Sequence, residues 1–354
     1  MNKMKFAFMC KKRQAGGRGK VAIVGGGPAG LAATGYLVCQ EYEVDVYEKL
    51  PLAGGLMMFG IPPYRIPRDS IVEGVEDLEK NFSVKFSYRT KVFCGEPRHD
   101  EGDEFINNLV DLKKIINEYD AVLLTTGIWS SRRLGVPGDN AKGVFSALEY
   151  VYSWWIYELG YTTHKPPVGN KVVVVGGGYS AIDAAEVALM MGAKEVYLTY
   201  RRTIREAPAG EYEVRRVVSE GIKWIELIQP TKVVVSNDRA VGVEFIKMRL
   251  GEPDESGRPR PVPMPGTEHV IEADMILAAV GEIPTPPLNT ECDGIKVDPK
   301  RKTIIVNKRM QTGIEKVFAA GDVVTGPSMI GKAIGSGLKA ATHLDHFLRA
   351  KKVV

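Results

Sequence analysis

Two short glycine runs, Gly25-Gly26-Gly27-Pro28-Ala29-Gly30 and Gly176-Gly177-Gly178-Tyr179-Ser180-Ala181, carry the clearest chemistry in this chain. Each follows four apolar residues, Val21 to Val24 and Val172 to Val175, and opens a small-residue stretch with a helical pattern. Glycines placed this way permit a tight turn and let backbone amides touch a pyrophosphate at a helix N-terminus. One such fingerprint is a weak signal. Two, each between a strand and a helix, predict a chain that binds two dinucleotides.

The end of the second strand of each unit separates the two sites. In the first unit that strand reads Val44-Asp45-Val46-Tyr47-Glu48, and a carboxylate there accepts hydrogen bonds from adenosine ribose hydroxyls while repelling a 2′-phosphate. FAD or NAD(H) fits that site and NADP(H) does not. In the second unit, aligning Val196-Tyr197-Leu198 with Val44-Asp45-Val46 puts Tyr200 opposite Glu48, followed by Arg201, Arg202 and Arg205. Guanidinium groups match a dianionic 2′-phosphate in charge and fork geometry, at roughly 1.5–3 kcal/mol per bond. The pattern predicts NADPH, with NADH possible; the competing reading is an ordinary basic surface turn. Asp322, delivered by the strand Val317-Phe318-Ala319-Ala320-Gly321, suits the ribityl hydroxyls of a long flavin nucleotide, or else caps the next turn. A helix from about Met329 would present its positive end to the flavin ring.

Elements to hold these groups follow from the pattern. The first βαβ unit runs from Lys20 to about Glu48 and the second from Lys171 to about Arg202. A strand covers 121–127, and a helix rich in Tyr and Trp covers Ala147 to Leu159. That helix reads as packed between domains, with a partner-docking patch as the alternative. An amphipathic helix spans Tyr212 to Glu220, followed by short strands. The excursion from Gly251 to Gly266, with five prolines, reads as a surface hairpin. The fold class predicted is α/β with two Rossmann-like dinucleotide-binding domains, one inserted in the other. Residues 1–19 form a basic leader, 20–140 with 286–354 the FAD-binding domain, and 141–285 the NAD(P)H-binding domain.

Composition narrows the function classes. A net charge of +4 over 354 residues, without a basic stripe interleaved with aromatics, argues against nucleic acid. No run approaches the length of a membrane span. The leader, with seven basic residues and no acid in the first twenty, reads as a solvated tail, or as a strap onto another subunit. Cys10, Cys39, Cys94 and Cys292 are far apart and form no CxxC, so neither a disulfide framework, a local metal set nor a redox dithiol is expected. Cys39 lies on the stripe Leu31, Gly35, Cys39 and reads as core. His343 and His346 read as a solvated face. These features suit a cytoplasmic protein.

The residues also resemble a known family: the FAD/NADPH-binding small subunit of glutamate synthase, the matching module of dihydropyrimidine dehydrogenase, NADH-dependent ferredoxin:NADP oxidoreductases and sulfide dehydrogenase subunits. The likeness covers roughly residues 20–348. Its marks are Gly54-Gly55-Leu56-Met57-Met58-Phe59-Gly60-Ile61-Pro62, continuing to Pro67, then Tyr200-Arg201-Arg202, the stretch from Gly251 to Arg258, and Ala320-Gly321-Asp322-Val323-Val324-Thr325-Gly326-Pro327. The resemblance implies that FAD is held by Gly25, Gly27, Pro28, Ala29, Gly30, Glu48, Gly55, Leu56, Arg65, Val92, Gly127 and Asp322. Lys49, Gly321 and Met329 are expected to bind the cofactor with that set. It implies that NADPH contacts Gly178, Tyr179, Ser180, Ala181, Arg201, Arg202, Arg205 and the loop from Ala279 to Gly281. Glutamate synthase small subunits carry an N-terminal iron–sulfur domain, whereas this sequence begins almost at its first strand. Electrons leaving FAD are therefore expected to reach a partner: an iron–sulfur or larger catalytic subunit, or ferredoxin.

The reaction expected is hydride transfer between nicotinamide and flavin, with positioning and electrostatics as the protein's part and no catalytic acid. A dithiol reductase of the same architecture needs a CxxC or a cysteine beside the flavin. A monooxygenase needs a substrate pocket that nothing in the sequence suggests. A non-catalytic, flavin-stabilised assembly or regulatory subunit is the rival from another class.

Overall fold

A computed structural model describes residues 4–11, 17–254 and 257–351. The chain divides into two compact units, Met1–Ser130 with Glu282–Val354, and Ser131–Gly281. The expected divisions fell after residues 140 and 285. Residues 131–140 belong to the second unit because Leu134 and Val136 pack on its apolar cluster and the Val233 amide donates to Pro137 O at 2.8 Å. Residues 282–285 belong to the first, where the Thr285 amide donates to Gly127 O at 3.0 Å.

The first unit is built on a five-stranded parallel sheet in the order Val317–Ala319, Ala121–Leu124, Lys20–Val24, Glu43–Tyr47, Lys85–Ser87. Its central strands are buried on both faces, which is why they read as unbroken apolar runs rather than as an alternation. On one face Ala22, Val24, Val122 and Leu124 meet Leu112, Ile115 and Ile116 of the helix Leu112–Glu118. The helix Pro28–Cys39 follows the first strand, and the long helix Ile330–Lys351 follows the last. An amphipathic helix not expected from the motifs, Arg68–Phe82, buries Ile71, Val75, Leu78 and Phe82.

The cysteines correct the sequence reading. Cys10 pairs with Cys39, and Cys94 with Cys292, leaving no free cysteine among the described residues. The partners stand 29 and 198 positions apart, so only the folded chain brings them together. Cys39 is therefore half-buried in a cystine instead of being a core thiol. The described part of the leader is likewise no frayed tail: Phe6 and Ala7 are buried. The segment crosses the first helix at Gly35, where an added Cβ would lie 2.0 Å from Phe6 O. Residues 1–3 and 12–16 of the leader lie outside the described residues.

The second unit repeats the plan with the parallel order Lys223–Glu226, Glu195–Tyr200, Lys171–Val175, Met275–Ala278, Val144–Ser146. It adds an antiparallel sheet of Ile228–Ser236, Arg239–Pro253, Pro259–Pro263 and His269–Glu272. The proline-rich excursion is the hairpin between the long strand and Pro259–Pro263. Its residues 255 and 256 lie outside the described set.

The aromatic helix, Ala147–Glu158, starts at Ser146, whose hydroxyl accepts from the Glu149 amide. Tyr150, Trp154 and Trp155 sit in the core of the second unit with Ile182, Ala185 and Leu198. Three of its rings thus fill the interior of their own unit.

Candidate functional site

The first unit holds a cleft at the C-terminal ends of its strands. Ligands of open parallel sheets bind at this edge. The glycine turn enters it through Gly25, Gly27, Pro28 and Ala29, at the start of the helix Pro28–Cys39. Gly30 lies just beneath, where an added Cβ would stand 2.0 Å from Gly25 O. Only glycine lets turn and helix close this tightly.

Glu48 lines the cleft and is nearly fully buried. Burial pushes its carboxyl above the usual carboxylate range, opposed by hydrogen bonds from the Leu50 and Gly26 amides. Oε2 accepts from Gly26 N at 2.8 Å and Oε1 from Leu50 N at 2.9 Å. A carboxylate has about four lone-pair directions, so these bonds leave the group further acceptor capacity. An adenosine ribose fits that donor–acceptor set, and a phosphate does not.

Gly55, Leu56, Val92, Gly127, Gly321 and Asp322 complete much of the wall. Asp322 lines the cleft, and its Oδ1 accepts from Ser328 Oγ at 2.6 Å. Burial pushes its carboxyl up. Met329 is exposed and lies off the cleft, and Ala333, one turn into the last helix, lines it instead. Arg65 is also absent from the wall; its guanidinium lies 5.5 Å from the Tyr64 ring centroid. Neither cystine lines the cleft, so no cysteine is placed there for dithiol chemistry.

Sequence reading missed a buried charge network on this wall. Lys49 Nζ donates to Glu101 O at 2.5 Å, pairs with Asp103 at 3.2 Å and lies 4.7 Å from the Trp129 ring centroid. Lys91 pairs with Asp103 and, at 3.1 Å, with Asp100. Its members are up to 54 positions apart, and no local pattern announces it. The role expected for Lys49 is thereby narrowed: its ammonium is committed to Glu101 and Asp103. Burial would push Asp103 up, but Lys49 and Lys91 hold its carboxyl below the usual range. Its stabilising contribution is thus complete above about pH 4 and is lost as pH falls through the lower, folded-state value. Asp103→Asn leaves two lysines buried without their shared partner, a loss of about 3 kcal/mol. Thermal denaturation at neutral pH should then show a melting temperature lower by roughly 6–12 °C. An unchanged transition would show that the network is not a stabilising unit.

In the second unit the helix Tyr179–Met190 begins at Gly178, beside which an added Cβ would meet nothing, so the face of this turn is open. Ala181 is buried in the helix, while Tyr179 and Ser180 reach its surface. Ala279 O lies across from Gly176, where an added Cβ would be 2.3 Å away, and the chain turns at Gly281 with φ of 113°. The strand registers match those of the first unit: Gly25 N donates to Tyr47 O, and Gly176 N donates to Thr199 O. Tyr200 therefore occupies the position that Glu48 holds in the first unit. Arg201 and Arg205 are exposed beyond it. Arg202 is not: it is 1% exposed, with Nη2 on Asp254 Oδ2 at 2.5 Å and Nε on Pro259 O at 2.7 Å. The expectation of a direct phosphate contact from Arg202 is corrected accordingly, since a buried guanidinium must keep its partners.

Among the described residues, no group of three or more His, Cys, Asp or Glu side chains is arranged to hold a metal ion. No helix among them is long and apolar enough to cross a membrane.

Residues 19–337 match the model of the pyridine nucleotide-disulphide oxidoreductase family. The chain is 37% identical over 333 residues to the NADP(+)-dependent formate dehydrogenase subunit beta of Moorella thermoacetica, covering 93% of this chain and 44% of that protein. It is 33% identical to the glutamate synthase [NADPH] small chain of Halomonas elongata, covering 93% of this chain and 68% of that one. Among solved structures, FprA from Mycobacterium tuberculosis has the same fold, with a TM-score of 0.79 at 19% identity, covering 95% of this chain and 86% of FprA. The chain spans about half the length of several curated relatives it matches. With two glycine turns, an acidic and a basic strand end, and this match over most of its length, the chain belongs to the pyridine nucleotide-disulphide oxidoreductase family.

Proposed function

We propose that the first unit holds FAD in its cleft, that the second holds NADPH on its glycine turn, and that electrons leave through FAD to an iron–sulfur partner. The observation that carries this reading is the contrast between two equivalent strand ends. One bears a buried carboxylate with spare acceptor capacity, the other a tyrosine followed by exposed arginines.

The cofactor pair supplies hydride and electron transfer, and the chain supplies position and field. Gly25 to Ala29 present amides and a helix N-terminus to a pyrophosphate, and Glu48 accepts from ribose hydroxyls. Asp322 accepts from a ribityl chain. Arg201 and Arg205 face a 2′-phosphate.

An electron-accepting partner is favoured because several relatives of this chain are named as beta subunits or small chains. An iron–sulfur subunit or a ferredoxin is the partner class proposed, with a ferredoxin:NADP reductase or sulfide dehydrogenase-type role as variants of the same chemistry. The test is NADPH oxidation by the FAD-loaded chain with ferricyanide, with ferredoxin, and with any iron–sulfur protein that co-purifies from the native source. Turnover with ferricyanide and with one iron–sulfur protein is expected. Turnover with ferricyanide alone would remove the partner assignment and keep the flavin one.

A further inference from the structure

We propose that Arg202 and Asp254 form a positioning pair that fixes the nucleotide-selecting loop of the second unit, so that the 251–266 hairpin sets the preference for a 2′-phosphorylated nucleotide without touching it. This deepens the reading above and rests on it.

The loop from Tyr200 to Ala209 is tied at nearly every turn. Tyr200 Oη donates to Glu206 O at 3.0 Å. The Thr203 hydroxyl and amide both donate to Glu206 Oε2, at 2.6 and 3.0 Å, and the Ile204 amide donates to Glu226 Oε2 at 2.8 Å. The Ala209 amide returns to Gly177 O at 3.1 Å, which ties the loop to the glycine turn itself. Arg201 and Arg205 are the charged residues this frame leaves exposed.

Arg202 is the anomaly inside it. It is a full charge, the largest of the fully buried side chains, in a loop otherwise held by neutral donors and local carboxylates. Its guanidinium reaches the hairpin twice, at Asp254 Oδ2 and Pro259 O, and the Leu227 amide donates to its own carbonyl at 3.2 Å. Asp254 is braced in turn, its amide donating to Arg258 O and its carbonyl accepting from Gly257, both at 2.8 Å. Two charge-assisted bonds to two separate acceptors fix orientation as well as distance. A long cationic side chain such as Arg201 gains most from its phosphate bond when its backbone is already held, because less motion is lost on binding.

The alternative is that Arg202 leaves its site and contacts the phosphate directly. The two roles give opposite results in a double-mutant cycle read with NADPH, NADH, 2′,5′-ADP and 5′-ADP. For the positioning role, Asp254→Ala raises the KM for NADPH and the inhibition constant of 2′,5′-ADP by ~tenfold, one charge-assisted bond. The values for NADH and 5′-ADP should move less than about twofold on the same scale. The double variant Arg201→Ala/Asp254→Ala should be no worse for NADPH than Arg201→Ala alone, because the pair acts through Arg201. Asp254→Glu should recover part of the loss.

If Arg202 is a direct ligand, freeing it by Asp254→Ala leaves NADPH binding unchanged or tighter, and that result overturns the proposal. So does an equal loss for both nucleotides. Arg201→Ala separates this failure from failure of the underlying reading: equal losses for NADPH and NADH in that variant remove the NADPH site itself. Should Asp254→Ala fail to fold, Asp254→Asn, which keeps the acceptor and drops the charge, carries the same comparison.

Discussion

Gly30→Val is expected to give a folded protein that does not retain FAD. The helix Pro28–Cys39 starts so close to the preceding turn that a Cβ on Gly30 would lie 2.0 Å from Gly25 O and 2.9 Å from Thr125 Oγ1. Neither neighbour can retreat freely. Thr125 Oγ1 donates to Gly25 O at 2.7 Å and lies 3.1 Å from Val24 O, so the turn, the helix and the adjacent strand form one locked joint. A branched side chain must push the turn away from the helix, carrying with it the amides proposed to meet a pyrophosphate. Overpacking of this kind costs about 1–3 kcal/mol. Drawn from the binding free energy, that is roughly 5- to 150-fold in affinity. The check is the flavin-to-protein ratio after desalting, with a melting curve to confirm folding. A folded variant with its full complement of flavin would show that this turn does not hold the cofactor.

Arg201→Ala is expected to lower the ratio of kcat/KM for NADPH over NADH at least ~tenfold, the value of one charge-assisted bond to a 2′-phosphate. Tyr200 has no carboxylate to repel that phosphate, and Arg202 is engaged by the hairpin. Selectivity therefore falls on the exposed arginines, with Arg205 in the next turn as the second contributor. Because an exposed ion pair is screened, the NADPH preference of the unmodified protein should itself shrink as salt is raised. A ratio unchanged by Arg201→Ala would return the basic turn to its simpler reading as solvated surface.

Much of this site is legible in the sequence, because its chemistry is local. The glycine turns stand directly after apolar strands, and the position of Glu48 against Tyr200 follows from counting along two equivalent strands. The match in strand register then places them alike. The features that escaped depend on distance. The cystines join positions 29 and 198 apart, and Arg202 finds Asp254 across 52 positions. A charged side chain in a motif reads as available until the fold buries it. The lysine–aspartate network on the cleft wall is of the same kind. The helix Arg68–Phe82 is different, because its signal was present: Ile71, Val75, Leu78 and Phe82 recur at helical spacing and form its buried face. The aromatic helix was bounded to within a residue, but the seating of Tyr150, Trp154 and Trp155 in their own unit's core was not, since ring density alone does not say what the rings pack against.

That this one polypeptide brings a reduced nicotinamide and a flavin into reaction is tested most directly by anaerobic titration of the FAD-loaded chain with NADPH. The account predicts that the yellow absorbance bleaches in proportion to added NADPH and is complete at about one equivalent, since a hydride carries both electrons. Flavin that stays bound and fully coloured under excess NADPH would contradict it.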